Sequence, residues 1–252
     1  MFISNPWFYA AAIPAVIISG ISKGGFGGGL GILSVPIMAL VISPVQAAAI
    51  LLPVLCLMDL FGLWAYRNQW DTVNLWNLIP GSLAGIGVGT LLFRYLTPEL
   101  IKLLLGAIAI IFTLDYWSRG LRSNQESARK PSILWGSIAG IMAGLTSFIA
   151  NAGAPPVTMY LLPQRLHRTT YVATTVLLFT LVNYVKLIPY GWLGLLHIDN
   201  LATSLLLMPV AVVGMLSGIW LHKQVSETVF YRICYLFLFV VGLKLIYDAV
   251  AN

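Results

Sequence analysis

Apolar residues are arranged in ten stretches, and the polar intervals between them are mostly short. The stretches cover residues 7–22, 29–43, 45–66, 73–93, 98–117, 133–150, 155–163, 169–190, 198–221 and 226–249. Six of them reach the roughly 20 residues that an α-helix needs to cross a bilayer. The other four are shorter and form two pairs, 7–43 and 133–163, each of which opens one half of the chain. The pattern predicts an all-α integral membrane protein.

The longest polar interval divides this pattern into two similar halves. We expect a first repeat over 1–117, a linker over 118–131 and a second repeat over 132–252. Both halves contain a proline followed by two glycines at the same intervals: Pro80, Gly85 and Gly89, and then Pro209, Gly214 and Gly218. Glycines four residues apart allow helices to pack closely in a membrane. Each repeat should therefore hold one broken helical hairpin and three transmembrane helices.

The two short pairs indicate how the halves are oriented. One helix over 7–43 would be about 55 Å long at 1.5 Å per residue, which exceeds the thickness of a bilayer. We therefore expect re-entrant hairpins over 7–43 and 133–163, each returning to the side from which it entered. This path makes the two repeats inverted with respect to each other.

The same path separates the basic residues of the loops. One face receives Arg67, Arg119, Arg122, Arg129, Lys130, Arg165, Arg168, Lys223 and Arg232, and the other receives Arg94, Lys102 and Lys244. An excess of Lys and Arg is typical of cytoplasmic loops, so the face with nine basic residues is expected to be the cytoplasmic one. The linker is therefore predicted to be cytoplasmic and both termini periplasmic.

Composition supports the membrane assignment and excludes several functions. The chain is 59% hydrophobic and 9% charged, whereas a soluble domain has about 25% charged residues. The net charge of +6 is explained by the cytoplasmic loops, so we expect no nucleic-acid partner. Cys56 and Cys234 both lie in apolar stretches, which favours neither a disulfide nor a metal site. No combination of nucleophile, base and acid indicates an enzyme, and no cofactor is expected.

The breaks within the short pairs are the best candidates for a binding site. They lie in SKGGFGGGLG, residues 22–31, and in TSFIANAGAPP, residues 146–156. Non-helical backbone at membrane depth is tolerated only inside protein or beside a watery cavity. A helix that begins there presents free N–H groups and the positive end of its dipole, which together attract an anion. The sequence thus predicts a small anionic substrate between two helix N-termini. Neither break matches a nucleotide-binding loop.

Charged side chains inside the apolar stretches are further candidates. Lys23 precedes the first glycine run; it either contacts the substrate or pairs with a distant carboxylate such as Asp59. Asp59 could instead carry a coupling proton. Lys186 lies near the end of its stretch, where it could also extend to the membrane surface. The three histidines, His167, His197 and His222, are expected at the surface.

Four segments, two in each half, resemble a known family. GISKGGFGGGLGILSVPIMAL at 20–40 with AAAILLPVLCLMDLFGLWAYR at 47–67, and GLTSFIANAGAPPVTMYLLPQRL at 144–166 with LVNYVKLIPY at 181–190, are similar to the TauE/SafE sulfite exporters, also called toluene-sulfonate uptake permeases. The resemblance implies a bacterial inner-membrane transporter of sulfite, sulfonates or other organic anions. The residues it implicates in substrate binding are Lys23, Gly24, Gly25, Gly27, Gly28, Gly29, Thr146, Ser147, Asn151, Gly153, Asn183 and Lys186, with Pro155 and Pro156 shaping the second break.

Three functions remain open at this point. A secondary transporter of small sulfur-containing or organic anions, with possible coupling to a proton or another ion, is the leading hypothesis. An anion channel would use the same residues. A membrane scaffold that transports nothing would need the breaks only for packing.

Overall fold

The computed structural model describes residues 3, 5–28, 30–121, 129–222, 224 and 227–251. Over these residues the protein is helical, with α-helices, short 3-10 turns and no strand. The α-helices are α1 (Pro6–Gly25), α2 (Ser34–Met38), α3 (Pro44–Ala65), α4 (Thr72–Leu92), α5 (Pro98–Leu121), α6 (Ile133–Ala150), α7 (Ala154–Leu161), α8 (Arg168–Trp192), α9 (Ile198–Leu221) and α10 (Glu227–Val250).

Each of the ten apolar stretches corresponds to one of these helices. Among the described residues, α1, α3, α4, α6, α8 and α9 are long and apolar enough to cross a membrane. Their outer faces carry large apolar side chains such as Trp64, Trp76 and Leu205, with exposed fractions of 68%, 77% and 65%. An apolar surface of this kind is typical of a protein whose outer face is covered by lipid tails rather than by water. The chain is a multi-pass membrane protein.

Polar side chains define where several helices begin. Asn5, Ser43, Asp71 and Ser132 each accept a hydrogen bond from a backbone N–H in the first turn of the helix that follows, at distances of 3.0, 3.2, 2.8 and 3.5 Å. Such caps satisfy N–H groups that have no partner within the helix. They allow the chain to leave each turn as a regular helix.

Glycines bring two pairs of helices into backbone contact. Gly20, Gly24 and Gly25 of α1 lie against the backbone of α9, and a Cβ atom at Gly25 would be 2.5 Å from the Gly218 carbonyl oxygen. Helices α4 and α6 meet in the same way, because a Cβ atom at Gly144 would be 2.0 Å from the Ser82 carbonyl oxygen. The predicted close packing at glycines four residues apart is confirmed.

Contacts at both ends show that α1, α3 and α9 run in the same direction. Near their starts, the Ser204 hydroxyl donates to the Ile50 carbonyl oxygen at 2.7 Å. Near their ends, the Tyr66 hydroxyl donates to the Gly24 carbonyl oxygen at 2.5 Å, and His222 Nδ1 lies 2.7 Å from the Gly25 carbonyl oxygen. Residues 26–43 therefore carry the chain back to the side where α1 began.

Helices α4, α6 and α8 also share a direction. Near their starts, the Asp71 N–H donates to the Thr174 hydroxyl at 2.9 Å. Near their ends, Gly89 lies against the Phe148 side chain, and the Tyr190 hydroxyl donates to the Phe148 carbonyl oxygen at 2.6 Å. Residues 151–167 accordingly return the chain before α8 begins.

The helix in the first return segment, residues 26–43, is shorter than the sequence indicates. We expected a helix over 29–43, much longer than its counterpart at 155–163, but α2 covers only Ser34–Met38 after a 3-10 turn at Gly31–Leu33. Turns fill the interval up to Ser43, whose extended backbone is the conformation favoured before Pro44. Apolar residues continue through the turns because the segment is buried, so hydropathy alone does not reveal where the helix ends. Leu33 and Met38, for example, have no exposed surface.

Candidate functional site

The first break begins three residues later than the end of the apolar stretch 7–22 suggests. Helix α1 continues through Lys23 and Gly24 to Gly25, and the chain then reverses. The Ser22 carbonyl oxygen accepts from the N–H groups of Phe26 and Gly28, at 2.8 and 2.9 Å. Gly27 and Gly28 have φ angles of +73° and +78°, which L side chains adopt only with strain. These two glycines are therefore the ones that the turn itself requires.

Side chains from three other helices hold the tip of this break. The carbonyl oxygens of Gly24 and Gly25, at the C-terminus of α1, are bonded by Tyr66 and His222 as described above. The guanidinium of Arg168 lies 5.4 Å from the centre of the Phe26 ring. The expectation that His222 is a surface residue was wrong. Its ring is buried because it packs against the C-terminus of α1, where Nδ1 lies beside the Gly25 carbonyl oxygen.

The second break is a helix C-terminus closed by a left-handed residue. Asn151 has a φ angle of +51°, and its N–H donates to the Ser147 carbonyl oxygen at 2.9 Å. The N–H of Ala152 donates to the Thr146 carbonyl oxygen at 3.2 Å. Helix α7 then begins at Ala154, with Pro155 in its first turn. Asparagine tolerates this conformation better than most residues, so the chain can turn sharply here.

A buried ion pair connects the first break to α3 and α8. Lys23 Nζ lies 2.6 Å from Asp59 Oδ1, at ion-pair distance. Lys23 also donates to the Leu55 carbonyl oxygen at 3.3 Å. The amide of Asn183 donates to Asp59 Oδ2 at 2.8 Å. Asp59 has no exposed surface and Lys23 is 6% exposed, so their charges compensate each other out of contact with water.

A second buried lysine connects α8 to the second break. Lys186 donates to the Ser147 carbonyl oxygen at 3.0 Å, to the Ser147 hydroxyl at 2.9 Å and to Asn151 Oδ1 at 2.6 Å. Its side chain has no exposed surface, so it does not extend to the membrane surface. An ammonium group at the C-terminus of α6 also interacts favourably with the negative end of that helix dipole. Each break is thus held by one buried lysine.

A cavity of about 40 Å³ lies between the two breaks. By the same measure of volume, one water molecule needs about 10–15 Å³, so a compact molecule of a few heavy atoms fits. Residues from α1, both breaks, α3, α6, α7 and α8 line it: Ser19, Lys23, Gly27, Gly28, Gly31, Leu55, Ser147, Asn151, Ala154, Thr175, Val176, Phe179 and Asn183. The cavity is therefore lined by residues from both halves of the chain.

Six of the residues proposed for substrate binding line this cavity: Lys23, Gly27, Gly28, Ser147, Asn151 and Asn183. Lys186 and Asp59 lie behind it, bonded to lining residues. The others serve the packing of helices or lie elsewhere. Gly24 and Gly25 contact α9, Gly153 contacts α6 and α8, and the Thr146 hydroxyl donates to the Met142 carbonyl oxygen at 2.7 Å. Gly29 lies outside the described residues.

Backbone N–H groups contribute less to the cavity than we expected. At the first break, the Leu30 N–H donates to the Ser22 hydroxyl at 2.9 Å, and the Gly31 N–H donates to the Gly28 carbonyl oxygen at 2.9 Å. At the second break, Pro155 and Pro156 have no N–H to offer. The N–H groups of Leu30 and Gly31 are therefore already bonded within the first break, and the two prolines supply none at the second.

Ser19 and Thr175 are lining residues that the sequence reasoning missed. Ser19 precedes Lys23 by four residues, and Thr175 precedes Asn183 by eight, so helical periodicity places each pair on one face. That spacing was the available signal. Among the described residues, no group of three or more His, Cys, Asp and Glu side chains is placed to hold a metal ion.

Comparison with known proteins identifies the family. The family model described as Sulfite exporter TauE/SafE matches residues 12–245, which is nearly the whole chain. The chain belongs to the TauE/SafE family. All four resembling segments fall within the match, and the TauE/SafE assignment indicates membrane transport of sulfur-containing anions. Comparison with curated proteins gives no match, and comparison with solved structures gives none either.

Proposed function

We propose that the protein is a secondary transporter of a small sulfur-containing or organic anion, such as sulfite, a sulfonate or a related carboxylate. The observation that carries the proposal is a cavity that both breaks line, with Lys23, Ser147 and Asn151 around it. A buried lysine and short polar side chains in an otherwise apolar protein provide the positive charge and hydrogen-bond donors that an anion needs. The size of the cavity favours a compact substrate.

The proposed inverted repeats are supported by the directions of the helices. Helix α4 begins where α3 ends, across a loop of six residues, 66–71. The set α4, α6 and α8 therefore runs opposite to the set α1, α3 and α9. The first helix of each half also packs against the fourth helix of the other half, α1 with α9 and α6 with α4. Such paired broken helices around a central site are typical of secondary transporters.

Alternating access would require the cavity to open to each side in turn. The tip of the first break lies near the ends of α3 and α9, and the tip of the second lies near the ends of α4 and α8. The two tips therefore approach opposite membrane surfaces. We propose that movement of one tip exposes the cavity to the cytoplasm and movement of the other exposes it to the periplasm. Asp59 is the candidate for carrying a coupling ion, because its partner Lys23 faces the cavity.

Flux through proteoliposomes tests this function. The purified protein should take up radiolabelled sulfite or methanesulfonate with saturation, and preloading with the unlabelled anion should accelerate uptake by exchange. Lys23→Ala should abolish uptake, whereas Lys244→Met, a change at an exposed ion pair in α10, should not alter it. Flux that does not saturate and shows no exchange would indicate an anion channel. No flux of any anion, with folded protein, would leave only the scaffold.

A further inference from the structure

The charges buried around the cavity do not cancel. Among the described residues, the buried Lys, Arg, Asp and Glu side chains that line the cavity or bond to a lining residue are Lys23, Asp59 and Lys186. The partly buried guanidinium of Arg168 lies over Phe26 at the tip of the first break and does not line the cavity. Lys23 and Asp59 compensate each other at 2.6 Å. Lys186 has only neutral partners, the Ser147 carbonyl and hydroxyl oxygens and the Asn151 amide oxygen. The region therefore holds one positive charge more than it holds negative charges.

The geometry around Lys186 fits the charged form of the side chain. An ammonium group has three N–H donors and no acceptor. Three oxygens lie 2.6–3.0 Å from Nζ, which is one acceptor for each donor. A neutral amine would direct a lone pair at one of these oxygens. The surplus charge is thus built into the second break.

Ser147 connects this charge to the cavity. Its hydroxyl oxygen accepts a hydrogen bond from Lys186, and its side chain lines the cavity. The hydroxyl hydrogen must therefore point away from Lys186, and the described part of the chain shows no hydrogen bond that the Ser147 hydroxyl donates. A bound anion would be a good acceptor for this hydrogen, since hydrogen bonds to an ionised acceptor are the stronger ones.

We infer that the cavity selects an anion with a single negative charge, which balances Lys186 by way of Ser147, over a dianion of the same size. This inference rests on the proposed function, because it concerns the substrate of the same site. A monoanion makes the buried region neutral. A dianion leaves an excess negative charge in a medium where unbalanced charge is expensive. The volume of about 40 Å³ limits the choice to compact ions.

Three probes of nearly equal size separate charge from shape. Methanesulfonate carries one negative charge, sulfate carries two and dimethyl sulfone carries none, while each has five heavy atoms, a central sulfur and its four substituents. Dissociation constants for the purified protein in detergent would be measured by isothermal titration calorimetry at constant ionic strength. Methanesulfonate should bind at least about tenfold more tightly than either of the others, because one unit charge at an effective dielectric constant of about 20 has this effect out to a distance of about 12 Å.

Charge variants then test whether the preference comes from these residues rather than from the cost of dehydrating a dianion. Asp59→Asn raises the buried charge by one and should shift the ratio of sulfate to methanesulfonate affinity toward sulfate by about tenfold. Lys186→Met removes the surplus charge and should weaken methanesulfonate binding toward that of dimethyl sulfone. Lys244→Met, which changes an exposed charge by the same amount, should leave all three affinities unchanged.

The outcomes distinguish the valence inference from the proposed function. If methanesulfonate and sulfate bind equally well, or if Asp59→Asn leaves their ratio unchanged, the inference is overturned while an anion site remains. If neither anion binds, the proposed function fails with it. Should the charge variants not fold, Ser147→Ala decides the question: methanesulfonate affinity should fall severalfold more than that of dimethyl sulfone. Equal losses for the two probes would contradict the inference.

Discussion

At the scale of single residues, the Lys23–Asp59 pair shows most clearly how burial determines the free-energy cost of a substitution. Both groups lie inside the protein, and Asn183 supplies a further hydrogen bond to the carboxylate. Removing one member of a buried pair leaves an uncompensated charge, which costs about 3–5 kcal/mol, whereas replacing both with apolar residues is often nearly neutral. The pair therefore adds little net stability to the fold, but the loss of either member alone is strongly destabilising.

A double-mutant cycle follows from this constraint. Lys23→Met and Asp59→Leu should each lower the free energy of unfolding by about 3–5 kcal/mol, and the double variant should recover most of that loss. Unfolding by denaturant, monitored by tryptophan fluorescence in detergent micelles, gives the energies. Strictly additive losses would contradict a direct interaction between the two side chains.

The neighbouring glycines of the first break offer a matched comparison. Gly27 and Gly28 have similar positive φ angles, but a Cβ atom at Gly27 would be 2.5 Å from the Tyr171 ring, whereas one at Gly28 would meet nothing within 4 Å. Gly28→Ala should cost only the backbone strain, about 1–2 kcal/mol. Gly27→Ala should cost clearly more, because the ring must also move. Thermal unfolding of the two variants checks the order, and equal losses would show that Tyr171 moves freely.

At the scale of elements, glycine contacts between helices are the main determinant of how α4 and α6 pack. The backbones meet at Ser82 and Gly144 so closely that even a methyl group cannot fit. Since lipid tails are as apolar as the helix surfaces, association in the membrane depends on such packing rather than on hydrophobic burial. A small residue on the outer face has no comparable role.

Two alanine substitutions test that distinction. Gly144→Ala places a Cβ atom 2.0 Å from a carbonyl oxygen and should destabilise the protein by about 1–3 kcal/mol or more. Gly87→Ala, on the exposed face of α4 with nothing within 4 Å, should be neutral or stabilising by up to about 1 kcal/mol. The melting temperatures of the two variants provide the measurement. A neutral Gly144→Ala would mean that the helices can separate without penalty.

Element boundaries also show what the sequence could and could not predict. Helices α3, α4, α6, α8 and α9 follow their apolar stretches closely, because caps such as Ser43 and Asp71 and the change to polar residues coincide. The first return segment was predicted poorly, since its turns are as apolar as its helix. The Lys23–Asp59 pair was one of the two alternatives that the sequence offered for Lys23, and the structure contains it. The partners of Lys186 and the contact of Asp59 with Asn183, which are 124 positions apart, depend on the packing of distant helices. No local pattern encodes such a contact, although the candidates themselves could be named.

At the scale of the whole molecule, the positions of the loops allow a test of orientation. In the predicted topology, the loop between α3 and α4 lies on the cytoplasmic side of the membrane and the loop between α8 and α9 lies on the periplasmic side. With Cys56 and Cys234 replaced by alanine, a cysteine at Gln69 should react with a membrane-impermeant maleimide only after the cells are permeabilised. A cysteine at His197 should react in intact cells. The reverse pattern would place the termini in the cytoplasm and contradict the predicted topology.

The exchange of helix partners between the halves determines when, during synthesis, the protein can complete its core. Helix α1 ends at Gly25, but the surface that fits its glycines belongs to α9, which begins at Ile198. Until then, the glycine face of α1 lacks the neighbour that will cover it. The first half should therefore be a poor independent folding unit, and a chain shortened before α9 should be a substrate for membrane quality control rather than a smaller transporter.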